Sequence, residues 1–153
     1  MAPHQHELGP DAQSLDAQRL DAQRLLGGWR LISSTVGGVI TPERGAKPTG
    51  LAFYDASGWV SIQFQRDGRQ APMTGDAPTP EEALAAVESY WAYFGTFTVD
   101  AGAKRVTHHR LGSLTPGWER HRDYVRAYEF AGENRLILRP VNNTNELVWD
   151  RLK

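Results

Sequence analysis

The sequence predicts an all-β protein in which eight short strands form one antiparallel barrel, with a single helix between the third and fourth strands. From Gly27 onward, short runs of β-branched and aromatic residues alternate with turn sequences. The chain is also well supplied with turn formers, having 15 glycines and 9 prolines. An open sandwich would fit the same pattern, but closing the sheet removes the unpaired edges that short strands otherwise expose.

The turn sequences delimit the strands. Asp55-Ala56-Ser57-Gly58 separates the second strand from the third, and Asp100-Ala101-Gly102 separates the fourth from the fifth. Such closely spaced turns favour a meander, in which each strand pairs with the next one along the chain. The predicted strands are Trp29–Val36, Gly50–Tyr54, Trp59–Gln65, Tyr93–Val99, Lys104–Leu111, Tyr124–Phe130, Arg135–Arg139 and Glu146–Leu152.

The one helix predicted inside this domain has a strong start signal. Thr79 occupies the N-cap position, Pro80 the first helical position, and Glu82 stands at the spacing of a capping box. Good helix formers follow, and the acidic first turn suits the positive end of the helix dipole. The sequence predicts that the helix runs to about Trp91 and covers the barrel or its mouth.

The N-terminal region has a different pattern from the rest of the chain. Three copies of a DAQ(S/R)L repeat place Leu15, Leu20 and Leu25 five residues apart, which spreads them around a helix instead of along one stripe. We expect residues 1–24 to be a polar leader, disordered or loosely helical, and residues 25–153 to form the barrel domain. A helix that binds a partner is the alternative for the leader.

Composition excludes several functional classes. A net charge of −1, from 17 basic and 18 acidic residues, gives no electrostatic attraction for nucleic acid or for an anionic membrane. The chain has no cysteines, no apolar stretch of the roughly 20 residues that span a bilayer, no signal-peptide core and no nucleotide-binding fingerprint. We therefore expect a cytoplasmic protein without metal or cofactor that binds neither nucleic acid nor membranes.

Five segments, in order, resemble a known family. The first is LLGGWRLISS, with Gly27 and Trp29 in Gly-x-Trp spacing, and the last is ELVWDRLK, which contains Arg151. Between them lie PTGLAFYDASGWVSIQFQR, YWAYFGTFTVD and RVTHHRLGSLTPGW. Together they span Leu25–Lys153, and the chain resembles the lipocalin-like domain family of small barrels outside the secreted lipocalins.

The resemblance implies a lipocalin-like barrel with an internal pocket. It also implies that Arg151 packs over Trp29 in a cation–π contact that closes one end. Related barrels include carriers as well as cofactor-free enzymes of natural-product biosynthesis, such as cyclases, so the family does not dictate a reaction. The lack of cysteines and of a signal peptide sets this chain apart from the secreted lipocalins.

An arginine falls on a predicted inward face. Alternation along the sixth strand places Tyr124, Arg126 and Tyr128 on one side, opposite Val125 and Ala127. A charge inside an apolar barrel is costly unless a carboxylate or an anionic ligand group compensates it. The alternatives are that Arg126 forms a structural ion pair or faces solvent.

Two adjacent histidines compete for one inward position in the fifth strand. If the apolar Val106 points inward, alternation also points His108 inward. If Leu111 points inward, His109 does so instead, and the first arrangement fits slightly better. Histidine is the natural general acid–base near neutral pH, although a hydrogen-bonded structural histidine is the alternative. The candidate catalytic residues are His108, Arg126 and Tyr128.

The candidate ligand contacts are mostly aromatic. Tyr93 and Phe97 fall on the apolar phase of the fourth strand, and Trp118 lies in a loop where it could cover the opening. Gln63 lies on the polar phase of its strand, and its S-x-Q spacing, which resembles the family, leaves open that this phase faces the pocket. The candidate ligand-binding residues are Phe53, Gln63, Tyr93, Phe97, His109, Tyr124 and Trp118.

Two functions fit these residues. The first is a cofactor-independent enzyme of the cyclase or isomerase type that acts on an apolar natural-product-like molecule, held in a reactive shape inside the barrel. The second is a non-catalytic binding or carrier protein with the same pocket. A barrel filled by its own aromatic side chains is a third alternative. The expected partner is an apolar small molecule, and the sequence leaves open whether the chain forms a homodimer.

Overall fold

Eight antiparallel strands close into one barrel, as the sequence predicts. The computed structural model describes residues 10–69 and 75–153. Each strand pairs with its neighbours along the chain, and the last strand closes the barrel by pairing with the first. The elements are α1 (Pro10–Leu25), β1 (Gly27–Val36), β2 (Thr49–Tyr54), β3 (Trp59–Gln65), α2 (Pro80–Glu88), β4 (Tyr90–Asp100), β5 (Arg105–Ser113), a 3₁₀ helix (Trp118–His121), β6 (Asp123–Phe130), β7 (Arg135–Pro140) and β8 (Asn145–Arg151).

The predicted capping box of α2 is confirmed, but the helix is shorter than predicted. The Thr79 hydroxyl accepts a hydrogen bond from the Glu82 amide at 3.2 Å, and the Glu82 carboxylate accepts one from the Thr79 amide at 2.8 Å. The helix ends at Glu88 instead of Trp91. Trp91 pairs with Phe64 of β3, so ladder hydrogen bonds and aromatic packing override the helix propensity of this segment.

The antiparallel meander gives the barrel two different ends. We call the end with α1 and the turns after β2, β4 and β6 the closed end. The open end carries the connections after β1, β3, β5 and β7. The first three of these are longer than the turns of the closed end and include α2 and the 3₁₀ helix. None of the described helices is long and apolar enough to cross a bilayer.

The closed end contains the predicted tryptophan–arginine contact. Trp29 is fully buried, its indole N–H donates to the Leu25 carbonyl at 2.8 Å, and the Arg151 guanidinium carbon lies 4.1 Å from a Trp29 ring centre. Arg151 also donates to the carbonyls of Arg24 and Leu26, which are left without helical partners where α1 ends. Gly27, at φ +102°, turns the chain from α1 into β1.

Helix α1 docks on the barrel through its last turns only. Leu25 is fully buried, whereas Leu15 and Leu20 are exposed, in keeping with the five-residue spacing. Asp21 is buried and accepts hydrogen bonds from the Lys104 ammonium at 2.6 Å and from the Tyr128 hydroxyl. Residues 1–9 of the predicted leader lie outside the described residues.

Replacing Asp21 by asparagine is expected to destabilise the protein by about 1–3 kcal/mol, because a buried charge-assisted hydrogen-bond pair is lost. Burial raises the pKa of Asp21, but the hydrogen bonds from Lys104 and Tyr128 outweigh it and lower the pKa. The carboxylate therefore stabilises the fold above pH 4 and less as the pH falls below that. Urea unfolding at pH 7 and pH 3 measures both effects.

The repeat provides a matched control for this substitution. Asp16 occupies the same place in the preceding repeat and is exposed, so Asp16→Asn is expected to change stability by less than about 0.5 kcal/mol. Equal losses from Asp16→Asn and Asp21→Asn would show that the docking contact contributes nothing specific.

Candidate functional site

Strand alternation places most of the candidate residues inside the barrel. His108 is fully buried and Arg126 is 3% exposed, so the predicted inward phases of β5 and β6 are correct. The Phe97 ring packs edge-on against Tyr54 with ring centres 5.0 Å apart. The inward-facing candidates are Tyr93, Phe97, His108, Tyr124, Arg126 and Tyr128.

Phe53 and Gln63 lie on the outside of the barrel, which corrects their expected place in the interior. Phe53 is 44% exposed because its neighbour Tyr54 takes the inward position in β2. Gln63 is exposed and accepts a hydrogen bond from the Tyr90 hydroxyl at 2.7 Å, since Ile62 and the other apolar residues of β3 fill the inward phase.

His109 also faces outward, in contrast to its expected role as a ligand contact. One ring nitrogen lies 2.7 Å from the Asp123 carboxylate and the other 3.0 Å from the Thr98 hydroxyl. Its neighbour His108 takes the inward position, and adjacent strand residues point to opposite faces. These contacts join the outer faces of β4, β5 and β6.

The interior holds a small cavity at the open end, and large side chains of the described residues fill much of the remaining interior. The cavity measures about 40 Å³, which is room for about one water molecule or a carboxylate-sized group. Towards the closed end, Trp29, Tyr54 and Trp149 fill the barrel. The cavity is lined by the aromatic residues Phe64, Trp91, Tyr93, Trp118 and Tyr124, among others.

Two arginines also line this cavity, the predicted Arg126 and a second one, Arg44, so its wall is not purely apolar. The Arg126 guanidinium carbon lies 4.3 Å from the ring centre of Tyr124, and one terminal nitrogen donates to the Tyr93 hydroxyl at 3.4 Å. Its Nε and Nη1 are buried and have no hydrogen-bond partner among the described residues. A desolvated cation–π contact contributes about 2 kcal/mol or somewhat more, whereas burial of an ion costs several kcal/mol.

Arg44 reaches the cavity from the loop between β1 and β2. Its guanidinium carbon lies 4.0 Å from a ring centre of Trp91 and 4.8 Å from that of Phe64. Burial lowers the pKa of Arg44, and the positive charge of Arg126 contributes in the same direction. Arg44 therefore covers the open end of the barrel much as Arg151 covers the closed end.

His108 links two tyrosines behind the cavity wall. Its Nε2 lies 2.8 Å from the Tyr54 hydroxyl and its Nδ1 lies 2.8 Å from the Tyr93 hydroxyl. Burial, with the nearby positive charge of Arg126, holds the pKa of His108 well below its usual range, so the ring is neutral. A neutral imidazole has one donor and one acceptor, so one tyrosine donates to it and the other accepts from it.

The structure does not assemble the three candidate catalytic residues. Tyr128 lies at the closed end, where its hydroxyl donates to Asp21. His108 is not part of the cavity wall, whereas Arg126 and Tyr93 are. Of the candidate residues, Arg126 and Tyr93 both line the cavity, and the Arg126 guanidinium donates to the Tyr93 hydroxyl.

Sequence reasoning missed three residues: Arg44 in the cavity wall, Arg110 next to that wall, and Tyr54 behind it. Arg110 is buried, and its guanidinium carbon lies 4.9 Å from the ring centre of Tyr124. The alternation that places His108 inside also places Arg110 inside, and the same rule places Tyr54 on the inward face of β2 together with Ala52. Arg44 lies in a loop, where no periodicity signals its direction.

The comparison with known families is consistent with this geometry. Residues 26–151 match the family model described as a lipocalin-like domain, a range that contains all eight strands. No curated protein matches the chain. The resemblance predicted from the five sequence segments is thus confirmed, and the chain belongs to the lipocalin-like domain family.

Proposed function

We propose that this protein binds a small organic molecule at the cavity of the open end. The observation that carries the proposal is the convergence of Arg126 and Tyr93 on a cavity with aromatic walls. A few polar groups that fix orientation, set among aromatic side chains, are the usual make-up of a small-molecule site. The lipocalin-like fold supports the same function.

The ligand has to displace part of the open end. The cavity of about 40 Å³ is much smaller than the roughly 300–1,000 Å³ of a typical ligand pocket. Arg44 and Trp118 both line it, and both belong to connections instead of strands. Movement of these connections would enlarge the site without breaking the barrel ladder.

Cofactor-independent catalysis is a second candidate, favoured by the position of Tyr93. When His108 carries its proton on Nδ1, it donates to the Tyr93 oxygen and accepts from Tyr54 through Nε2. The proton of Tyr93 is then available to a ligand in the cavity. Burial raises the pKa of Tyr93, so the phenol stays protonated and can stabilise a developing oxyanion, as an isomerase requires.

The binding proposal is tested with benzoate and benzamide, two small probes that differ in charge but hardly in shape. We expect isothermal titration calorimetry to detect binding of at least one probe, and the indole signal of Trp118 to shift in NMR spectra. Ser34 is buried beside the cavity, so Ser34→Leu fills the space and is expected to weaken binding at least tenfold.

The control is Ser61→Leu, which adds the same side chain to the outer face of β3. This variant is expected to bind as the unchanged protein does. If neither probe binds, or if both leucine variants bind equally well, the cavity is not the binding site.

A further inference from the structure

Arg126 is a buried charge for which the described residues supply no counter-charge. It is 3% exposed, and two of its three guanidinium nitrogens have no partner among the described residues. No aspartate or glutamate of the described residues lines the cavity beside it. Arginine remains protonated in proteins, so the charge is permanent. The structural ion pair that would explain an inward arginine is not there among these residues.

The neighbouring groups that the structure describes do not neutralise the positive charge of Arg126. The ring of Tyr124 and the hydroxyl of Tyr93 contact the guanidinium, but a cation–π contact is weaker than the penalty for burying an ion. Water molecules can accept from the remaining N–H groups, but they carry no charge. An anion is the chemical species that satisfies both requirements, because it accepts hydrogen bonds and neutralises the guanidinium.

The surroundings make the cavity positive as well as aromatic. Arg44 lines the same cavity, and the guanidinium carbon of Arg110 lies 5.3 Å from a ring centre of Trp118, which is also in the wall. The whole chain has a net charge of −1, so this concentration of positive charge is local. The low-dielectric aromatic walls strengthen the attraction for an anion.

We infer that the natural ligand is an organic carboxylate with a flat, unsaturated or aromatic body, and that Arg126 holds its carboxylate group. This inference deepens the proposed function and rests on it. A carboxylate group matches the planar fork of a guanidinium, and the free volume of about 40 Å³ suits a group of that size. The body of the ligand extends towards Arg44 and Trp118, where the aromatic walls favour a flat molecule.

The test compares benzoate with benzamide in the unchanged protein and in Arg126→Met. We expect benzoate to bind at least tenfold more tightly than benzamide, and to raise the melting temperature accordingly. In Arg126→Met, benzoate affinity is expected to fall to that of benzamide, because the neutral, unbranched side chain keeps the volume and loses the charge. Arg126→Lys keeps the charge without the planar fork, so an intermediate affinity is expected.

Folding of the variants is checked by the melting temperature without ligand. Arg126→Met removes an uncompensated buried charge, so its melting temperature is expected to equal or exceed that of the unchanged protein. Arg105→Met, on the outer face of β5, is the matched control and is expected to keep full selectivity for benzoate. If Arg126→Met does not fold, Arg126→Lys is the deciding variant. Unchanged selectivity for benzoate over benzamide in Arg126→Lys would overturn the contact between the carboxylate and the planar fork of the guanidinium.

The outcomes separate the two proposals. Equal binding of benzoate and benzamide that Ser34→Leu abolishes would overturn the carboxylate inference and leave the cavity as the binding site. Binding of neither probe would overturn both. If inorganic phosphate competes with benzoate at the same concentration, the site takes small anions in general, and the flat carboxylate is the wrong class.

Discussion

Replacing Trp29 by alanine is expected to lower the free energy of unfolding by about 3–5 kcal/mol. Trp29 is fully buried, and its indole lies between the Leu25 carbonyl, which it hydrogen-bonds, and the Arg151 guanidinium, 4.1 Å from a ring centre. Alanine would leave a cavity at the closed end and would remove the ring on which Arg151 packs. Urea unfolding followed by circular dichroism measures the loss.

Two further variants test whether this loss of stability comes from specific contacts of Trp29 at the closed end. Trp29→Phe keeps an aromatic ring but loses the N–H donor to Leu25, so a smaller loss of about 1–3 kcal/mol is expected. Trp59→Ala truncates an indole on the outer face of β3 that is 48% exposed, and is expected to cost less than about 1 kcal/mol. A similar loss for Trp29→Ala and Trp59→Ala would mean that the closed end is not a specific packing centre.

Replacing His108 by leucine is expected to destabilise the protein by about 2–5 kcal/mol, because the hydroxyls of Tyr54 and Tyr93 lose their buried partner. The loss should shrink when Tyr54→Phe is added, since one unsatisfied hydroxyl is then removed. His109→Leu, at the neighbouring outward position, is the matched control and is expected to change stability by less than about 1 kcal/mol.

His108 also predicts a pH dependence of stability. The unfolded chain protonates this histidine below pH of about 6.5, whereas burial, with Arg126 nearby, holds the pKa of the folded form well below that. The unfolded state therefore binds more protons, and stability falls as the pH decreases below 6.5, by up to about 1.4 kcal/mol per pH unit. Urea midpoints between pH 8 and pH 5 should fall for the unchanged protein and for His109→Leu, but much less for His108→Leu.

Much of the barrel could be predicted because its signals are local. The turn Asp55-Ala56-Ser57-Gly58 and the alternation in β3 fix a hairpin whatever the rest of the chain does. Side chains alternate between the two faces of every strand, so neighbouring apolar residues in β5 and β6 predicted that His108 and Arg126 point inward, as they do. The capping box at Thr79 likewise depends only on residues three apart.

Alternation within their own strands already places Phe53, Gln63 and His109 outside, so these three errors were avoidable from the sequence. Two other errors arose where a distant partner decides. Trp91 follows a good helical segment, but its pairing with Phe64 draws it into β4. Tyr128 shares a face with Arg126, yet its hydroxyl binds Asp21, which is 107 positions earlier in the chain. Neither contact leaves a trace in the sequence around Trp91 or Tyr128.

The sequence by itself determined the all-β class, the number of strands, the Trp29–Arg151 contact implied by the family resemblance, and the inward phase of β6. Only the tertiary structure decided that the interior is mostly filled and that the remaining cavity is bordered by Arg44 and Arg126. The physical reason is that periodicity encodes which face of a strand is buried, whereas free volume and charge balance depend on how side chains from all the strands meet.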